Sequence, residues 1–186
     1  MATAVIDGIS TRYEIIGSGL PLLMFSPGGF DATVEKWRTQ GIYVVTQFLE
    51  HLPSHFTCIV FDRRETGQSG GRVERVTWRD YVKQATGLLD HLGIEKAHIM
   101  GGCMGCSVAM AMATQAPERV DKMVLFWPVG GARYRMTGHQ RFAEHLAFVQ
   151  QNGLEAVVAL SKESNKAFGA DPRRSARRPL DLGAAP

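Results

Sequence analysis

A single cysteine stands at the centre of the segment with the most evident chemistry. Cys103 is flanked by Gly101, Gly102 and Gly105 in the run Gly-Gly-Cys-Met-Gly, between an apolar segment and an Ala- and Met-rich one. Glycines at these positions let a strand and a helix approach closely around a sharp turn that exposes the central side chain. The N-terminus of such a helix stabilises a thiolate, which is a strong nucleophile. The pattern predicts acyl-transfer chemistry at Cys103.

Other interpretations of this segment stay open. Free cysteine is often a small buried residue, and Cys103 would then belong to the core. Cys103 and Cys106 also form a C-x-x-C pair at a helix N-terminus, as in thiol redox modules. There is no second cysteine pair, so a metal site is not expected. Three cysteines in 186 residues make no disulfide framework, which favours a reducing, cytoplasmic compartment.

The elements that position Cys103 follow from the apolar pattern. Alternation around Asp7-Gly8 predicts a hairpin of two strands within residues 3–16. Short apolar runs predict four buried strands, at 20–26, 57–62, 97–100 and 123–128. Helices are predicted at 35–51, at 77–92 behind the capping box Thr77-x-x-Asp80, and at 104–116 and 136–151. Buried strands that alternate with helices indicate an α/β fold with a mostly parallel sheet and helices on both faces.

Several segments in this order resemble the α/β-hydrolase superfamily. Residues 26–30 (SPGGF) resemble the family's oxyanion loop after the third strand. Residues 62–69 (DRRETGQS) resemble its D-x-R-G-x-G-x-S loop after the fourth strand, with Glu65 in place of a usual glycine. Residues 92–97 (LGIEKA) and 116–120 (APERV) are similar to the segments before the elbow strand and after the elbow helix. The resemblance implies an α/β-hydrolase fold with residues 101–105 as its nucleophile elbow.

The same resemblance implies a hydrolase that needs no cofactor or metal. Its substrate would be a small-molecule ester, lactone or thioester, attacked by Cys103. Most members carry serine at this position, and a cysteine is similar to the dienelactone hydrolase and polyester synthase minority. The oxyanion hole would be formed by the backbone N–H groups of Gly29 or Phe30 and of Met104.

The resemblance covers residues 5 to about 130, and the family's late residues have no counterpart. The acid and the histidine usually follow the seventh and eighth strands, and two further βα units would need on the order of 60 residues. Residues 171–186 are rich in Arg, Ala and Pro and are expected to be a disordered or out-of-frame tail. We therefore expect residues 1–170 to be an incomplete hydrolase domain that lacks those strands, with 133–170 as the start of a cap. Hydrolysis would be impaired, and a non-catalytic truncated product is the alternative.

Few other side chains are candidates for the roles of the family's late acid and histidine. His139, on the segment after the sixth strand, is the possible substitute base. The default interpretation of both His139 and His145 is a polar residue on a surface helix. His98 is expected to be a packed or edge histidine, and helix-end roles are expected for His51, His55 and His91. Glu35 matches, by position alone, a Glu that touches the nucleophile in dienelactone hydrolases. Structural roles are expected for Asp62, Arg63 and Glu118.

Charge and hydropathy limit the classes of partner. The formal net charge is +3, of which residues 171–186 carry +2 through four arginines and two aspartates. The body is therefore near neutral, and no nucleic-acid partner is expected. No apolar stretch is long enough to span a membrane, and no signal peptide is evident. Without a seventh strand the sixth would be an open sheet edge, which predicts self-association.

Overall fold

The fold is organised around one mixed β-sheet. The computed structural model describes residues 2–29, 31–72, 74–130 and 132–164. Within them the sheet has six strands: β1 (Ala2–Ile6), β2 (Ile9–Ile16), β3 (Leu20–Phe25), β4 (Phe56–Phe61), β5 (Ala97–Gly102) and β6 (Val120–Phe126). Their order across the sheet is β1-β2-β4-β3-β5-β6. β1, β2 and β4 pair antiparallel, whereas β3 pairs parallel with β4 and β5, and β5 with β6. The predicted mostly parallel sheet is confirmed.

Helices cover both faces of the sheet, as predicted. One face carries three short helices, α1 (Lys36–Thr39), α2 (Ile42–Thr46) and α3 (Phe48–His51), and the other carries α4 (Trp78–His91) and α5 (Gly105–Gln115). The helix predicted over 35–51 is therefore not continuous. Gly41 and Gln47 have φ of 50° and 45°, which turns the backbone out of the right-handed helical region. The predicted capping box of α4 is present, with the Thr77 N–H donating to the Asp80 carboxylate at 2.7 Å.

β6 differs from the buried strand predicted at 123–128. It begins three residues earlier, and it ends at Phe126 because Trp127 adopts φ 56° and turns the chain. Met123 and Val124 are 41% and 53% exposed, since among the described strands β6 lies at the end of the sheet and pairs only with β5. An apolar core lies on each face of the sheet. The central strands β3, β4 and β5 supply fully buried side chains to these two cores, among them Leu23, Met24, Ile59, Val60 and Ile99.

The chain divides into two compact units at Val129 and Gly130. The described part of the second unit is α6 (Ala132–Ser164), which contains the predicted helix 136–151 and is kinked at Gly153, where φ is 79° and ψ is 173°. The predicted tail, 171–186, lies outside the described residues. Among the helices that are described, none is long and apolar enough to cross a membrane.

Candidate active site

Cys103 occupies a tight turn between β5 and α5. Its φ is 51°, in the left-handed region that a residue with a β-carbon rarely adopts. Gly101 and Gly105 make this turn possible. A β-carbon on Gly101 would lie 2.6 Å from the Cα of Cys106, and one on Gly105 would lie 2.9 Å from the carbonyl oxygen of Ser26. The elbow therefore has the close strand–helix approach that its glycine pattern predicts.

The elbow is anchored to β6 through one carbonyl. The backbone N–H of Cys103 donates to the carbonyl oxygen of Phe126 at 3.2 Å, and the N–H of Cys106 donates to the carbonyl oxygen of Cys103 at 3.1 Å. The Cys106 thiol is buried; it donates to the Gly101 carbonyl at 3.0 Å and lies 3.5 Å from the Phe126 carbonyl oxygen. The side chain of Cys103 is only partly buried. The two cysteines of the C-x-x-C pair thus differ in access to solvent.

A tyrosine that the sequence did not single out lies under the elbow. Tyr43, on α2, points its hydroxyl at the Phe126 carbonyl at 3.5 Å, and a β-carbon on Gly102 would come within 3.0 Å of that hydroxyl. Burial, and then the neighbouring thiols of Cys103 and Cys106, raise the pKa of Tyr43 above its ordinary value. The phenol is therefore a neutral support for the turn. No local pattern indicates this, because α2 meets β5 only in the folded chain.

The predicted oxyanion loop is held by the loop that follows β4. Arg63 donates from its guanidinium to the Gly29 carbonyl and from its backbone to the Ala32 carbonyl, the latter at 3.1 Å. The Asp62 carboxylate accepts the Val34 N–H at 2.8 Å. The structural roles expected for Asp62 and Arg63 match these contacts. Phe30, one of the predicted oxyanion donors, lies outside the described residues.

Met104 is the residue immediately before α5. It is the N-cap of that helix, with φ −64°. The first N–H groups of a helix have no acceptor within it and point out of its N-terminus. An N–H at this place is suited to a negatively charged oxygen on a group attached to Cys103.

Glu35, which the sequence matches by position alone to a Glu that touches the nucleophile, is paired with a buried arginine. Its carboxylate lies 2.7 Å from the Arg12 guanidinium, which also contacts Asp62 at 3.1 Å and Glu14. Burial alone would raise the pKa of Glu35, but hydrogen bonds from its backbone and from Arg12, with the charge of Arg12, lower it. Glu35 is therefore an ionised partner of the fully buried Arg12. The alternation of residues along β2 does not predict this network, because two of the three partners of Arg12, Glu35 and Asp62, are distant from it in sequence.

The described histidines of the first unit lie away from the elbow. The parallel strands end at the edge that carries Cys103, whereas His55 immediately precedes β4 and His98 is the second residue of β5, at the opposite edge. His98 is half-buried, with its Nδ1 3.0 Å from the Asp121 carboxylate. His51 ends α3 and His91 ends α4, as predicted. His139 is exposed and belongs to the second unit.

Metal-binding side chains are not clustered in the part of the chain that the structure describes. No group of three or more His, Cys, Asp or Glu side chains is placed to hold an ion there. All three cysteines are free thiols. The polar contacts of the elbow described above are made by backbone amides and carbonyls, the Tyr43 hydroxyl and the Cys106 thiol.

The fold and this elbow define a family. A sequence model of the alpha/beta hydrolase fold matches residues 21–171. The chain therefore belongs to the alpha/beta hydrolase fold family, as its motifs predicted.

Individual relatives agree with this assignment. The chain is 32% identical over 127 residues to the dihydrolipoyllysine-residue acetyltransferase component of the acetoin cleaving system of Cupriavidus necator, covering 68% of this chain and 32% of that protein. It is 32% identical over 125 residues to the 2-hydroxymuconate semialdehyde hydrolase of Pseudomonas sp. strain CF600, covering 66% and 41%. The structure of the meta-cleavage product hydrolase CumD of Pseudomonas fluorescens IP01 superposes with a TM-score of 0.60 at 28% identity, covering 70% and 46%. The chain thus spans about a third to a half of these relatives.

Proposed function

We propose that this chain carries the nucleophile half of an acyl hydrolase and that Cys103 attacks the carbonyl carbon of an ester, lactone or thioester. The observation that carries the proposal is the left-handed conformation of Cys103 between the end of β5 and the N-terminus of α5. This conformation places a partly exposed thiol at the positive end of a helix. Two of the relatives are hydrolases, which supports hydrolysis as the type of reaction.

The oxyanion of the tetrahedral intermediate would be stabilised by two backbone donors. One is the N–H of Met104, at the start of α5, and the other belongs to Gly29 or Phe30 of the oxyanion loop. Gly105 touches the end of β3, and this contact holds the elbow beside that loop. The acyl group would then remain on Cys103 as a thioester until water removes it.

Deacylation is the step for which the first unit provides no evident base. Its described histidines precede or begin strands on the opposite edge, or end helices, and Glu35 is bound by Arg12. A nucleophile without its base and acid retains about 10³–10⁴-fold acceleration over water from binding and the oxyanion hole. We therefore expect acylation of Cys103 followed by slow release, and impaired turnover.

The test is single-turnover acylation with p-nitrophenyl acetate. We expect release of p-nitrophenol in a stoichiometric phase, with one acetyl group on Cys103 by peptide mass spectrometry. Cys103→Ala should abolish this phase, whereas Cys58→Ala, which removes a buried thiol far from solvent, should retain it. An unmodified Cys103 would contradict the proposal and favour a non-catalytic protein.

Rapid turnover that disappears in Cys103→Ala would contradict the impaired-turnover part of the proposal. It would indicate a substitute base, and His139→Ala would then identify or exclude the histidine predicted for that role. The same assay with a thioester substrate compares a thiolate leaving group with a phenolate one. A preference for either narrows the substrate class.

A further inference from the structure

Cys106 is a thiol that acyl transfer does not use, three residues after Cys103 in the sequence. We propose that the two cysteines form a reversible oxidative modification site, in which hydrogen peroxide oxidises Cys103 and Cys106 resolves the product as an intramolecular disulfide. The disulfide would block acyl transfer and protect the nucleophile from irreversible oxidation. Only the block of acyl transfer rests on the proposed function, because disulfide formation is measurable without any substrate.

The backbone brings the two residues within disulfide range. The hydrogen bond from the Cys106 N–H to the Cys103 carbonyl closes a four-residue turn. The end Cα atoms of such a turn are less than about 7 Å apart, and disulfides join Cα atoms about 4.4–6.8 Å apart. Cys58 is excluded as the partner because β3 lies between β4 and β5, and two strand spacings amount to about 9–10 Å.

A shared acceptor also places the Cys106 sulfur beside the turn. The Phe126 carbonyl oxygen accepts the N–H of Cys103 at 3.2 Å and lies 3.5 Å from the Cys106 Sγ. To reach Cys103, that sulfur must leave the Gly101 carbonyl, to which it donates at 3.0 Å. A rotation about the Cα–Cβ bond of Cys106 would break this weak thiol hydrogen bond and leave the backbone hydrogen bonds of α5 in place.

The difference in burial sets the order of reaction. Cys103 is partly exposed and is the thiol that peroxide meets first, whereas Cys106 is 1% exposed. Burial raises the pKa of Cys106, and negative charge on Cys103 raises it further. Conversion of Cys103 into a neutral sulfenic acid removes that second effect. Cys106 therefore remains a protonated thiol until Cys103 has reacted.

The two steps balance with hydrogen peroxide as the oxidant. The Cys103 thiolate attacks one peroxide oxygen and the O–O bond breaks, which gives Cys103 sulfenic acid and hydroxide. The Cys106 sulfur, on losing its proton, then attacks the Cys103 sulfur. The S–O bond breaks, hydroxide takes up that proton to leave as water, and the S–S bond forms. Two thiols have lost two electrons, and peroxide has been reduced to water.

The test maps the tryptic peptide 97–119, which contains Cys103 and Cys106 but not Cys58. The protein is treated with a small molar excess of hydrogen peroxide, quenched with catalase and alkylated with iodoacetamide after unfolding. We expect the wild-type peptide to be two hydrogens lighter and unalkylated, and to take up two alkyl groups after dithiothreitol. Cys58→Ala is the matched control and should give the same result.

Cys106→Ser separates this proposal from oxidation of Cys103 alone. Serine retains a donor for the Gly101 carbonyl, and Cys106→Ala is a second variant if the serine protein does not fold. Either variant should accumulate a dimedone-reactive sulfenic acid and then sulfinic acid at Cys103, and recover several-fold less thiol after dithiothreitol. Equal dimedone labelling of wild type and variant, or a disulfide between two chains, would overturn the proposal. Because mass is the readout, either result stands whether or not Cys103 is acylated by p-nitrophenyl acetate.

Discussion

Gly105 rests directly on the end of β3, where a β-carbon would lie 2.8 Å from the carbonyl carbon of Phe25. The first residue of the elbow helix thus touches the strand that leads into the oxyanion loop. The separation between Cys103 and the loop proposed to supply an oxyanion donor is therefore set by the absence of a side chain at Gly105. Any larger residue must move α5 away from β3.

Gly105→Ala should consequently destabilise the fold by about 1–3 kcal/mol, the usual effect of overpacking against backbone. Gly29→Ala is the matched control, because a β-carbon there meets nothing within 4 Å, and a change within about 0.5 kcal/mol is expected. Urea unfolding measures both. Equal stability of the two variants would show that α5 shifts freely, which would weaken the geometric basis of the proposed site.

Cys103 should be the first of the three cysteines to be alkylated. Burial raises the pKa of Cys58 to about 11 and also raises that of Cys106, and both side chains are buried. Brief iodoacetamide treatment of the native protein, followed by peptide mapping, gives the order. Faster labelling of Cys58 or Cys106 would contradict the elbow assignment.

Removal of the charge on Asp62 should destabilise the protein. Asp62 is fully buried against Arg12, and Asp62→Asn leaves that guanidinium with Glu14 and Glu35 as its carboxylate partners, at a cost of about 1.5–3 kcal/mol. Asp90→Asn breaks a 2.7 Å ion pair with Arg119 in which the carboxylate is mostly exposed, and should cost less than about 1 kcal/mol. Similar unfolding midpoints for the two variants would refute the assigned role of the buried pair.

Cys58 should make the fold less stable in alkali. Its pKa rises from 9.0 in the unfolded chain to about 11 on burial. Between these values the unfolded chain has lost the thiol proton and the folded chain has kept it, so the free energy of unfolding decreases as pH rises. The decrease from pH 9 to pH 11 should be about 2 kcal/mol larger in wild type than in Cys58→Ala. Parallel pH curves for the two proteins would contradict this.

The exposed edge at β6 leads us to propose self-association. β6 is the last strand of the sheet, and Val124 and Trp127 are 53% and 64% exposed. Light scattering at micromolar concentration should detect dimers or larger species, and Val124→Lys should reduce them because charge on an edge strand opposes pairing. Val5→Lys, on the edge strand at the other end of the sheet, is the control and should have no effect. A compact wild-type monomer with a sharp thermal transition would be the contrary result.

The strands and the elbow were predictable because their signals are local. Asp7 and Gly8 both have positive φ, as a two-residue hairpin turn requires, and the glycine spacing around Cys103 is a property of one turn. The short apolar runs likewise located the four strands predicted as buried to within a few residues. These features depend on neighbours in sequence, so a single sequence contains them.

The structural features that the sequence did not predict depend on contacts between distant segments. Neither Tyr43 beneath the elbow nor the pairing of Glu35 with Arg12 can be derived from spacing, since each contact joins elements that meet only after the sheet has formed. The break at Gln47 was missed because glutamine is compatible with a helix and adopts φ 45° only in this context. The exposure of β6 depends on its place in the strand order, which an apolar run does not reveal.

The central position of β3 affects how the protein is made on the ribosome. Leu22 has cross-strand neighbours in Cys58 and His98, both translated well after it. At about 5–20 residues per second, several seconds pass between the synthesis of β3 and that of β5. During that interval the nascent chain exposes an apolar strand whose second partner does not yet exist. Chaperones that bind extended apolar segments would therefore meet β3 before the elbow has been synthesised.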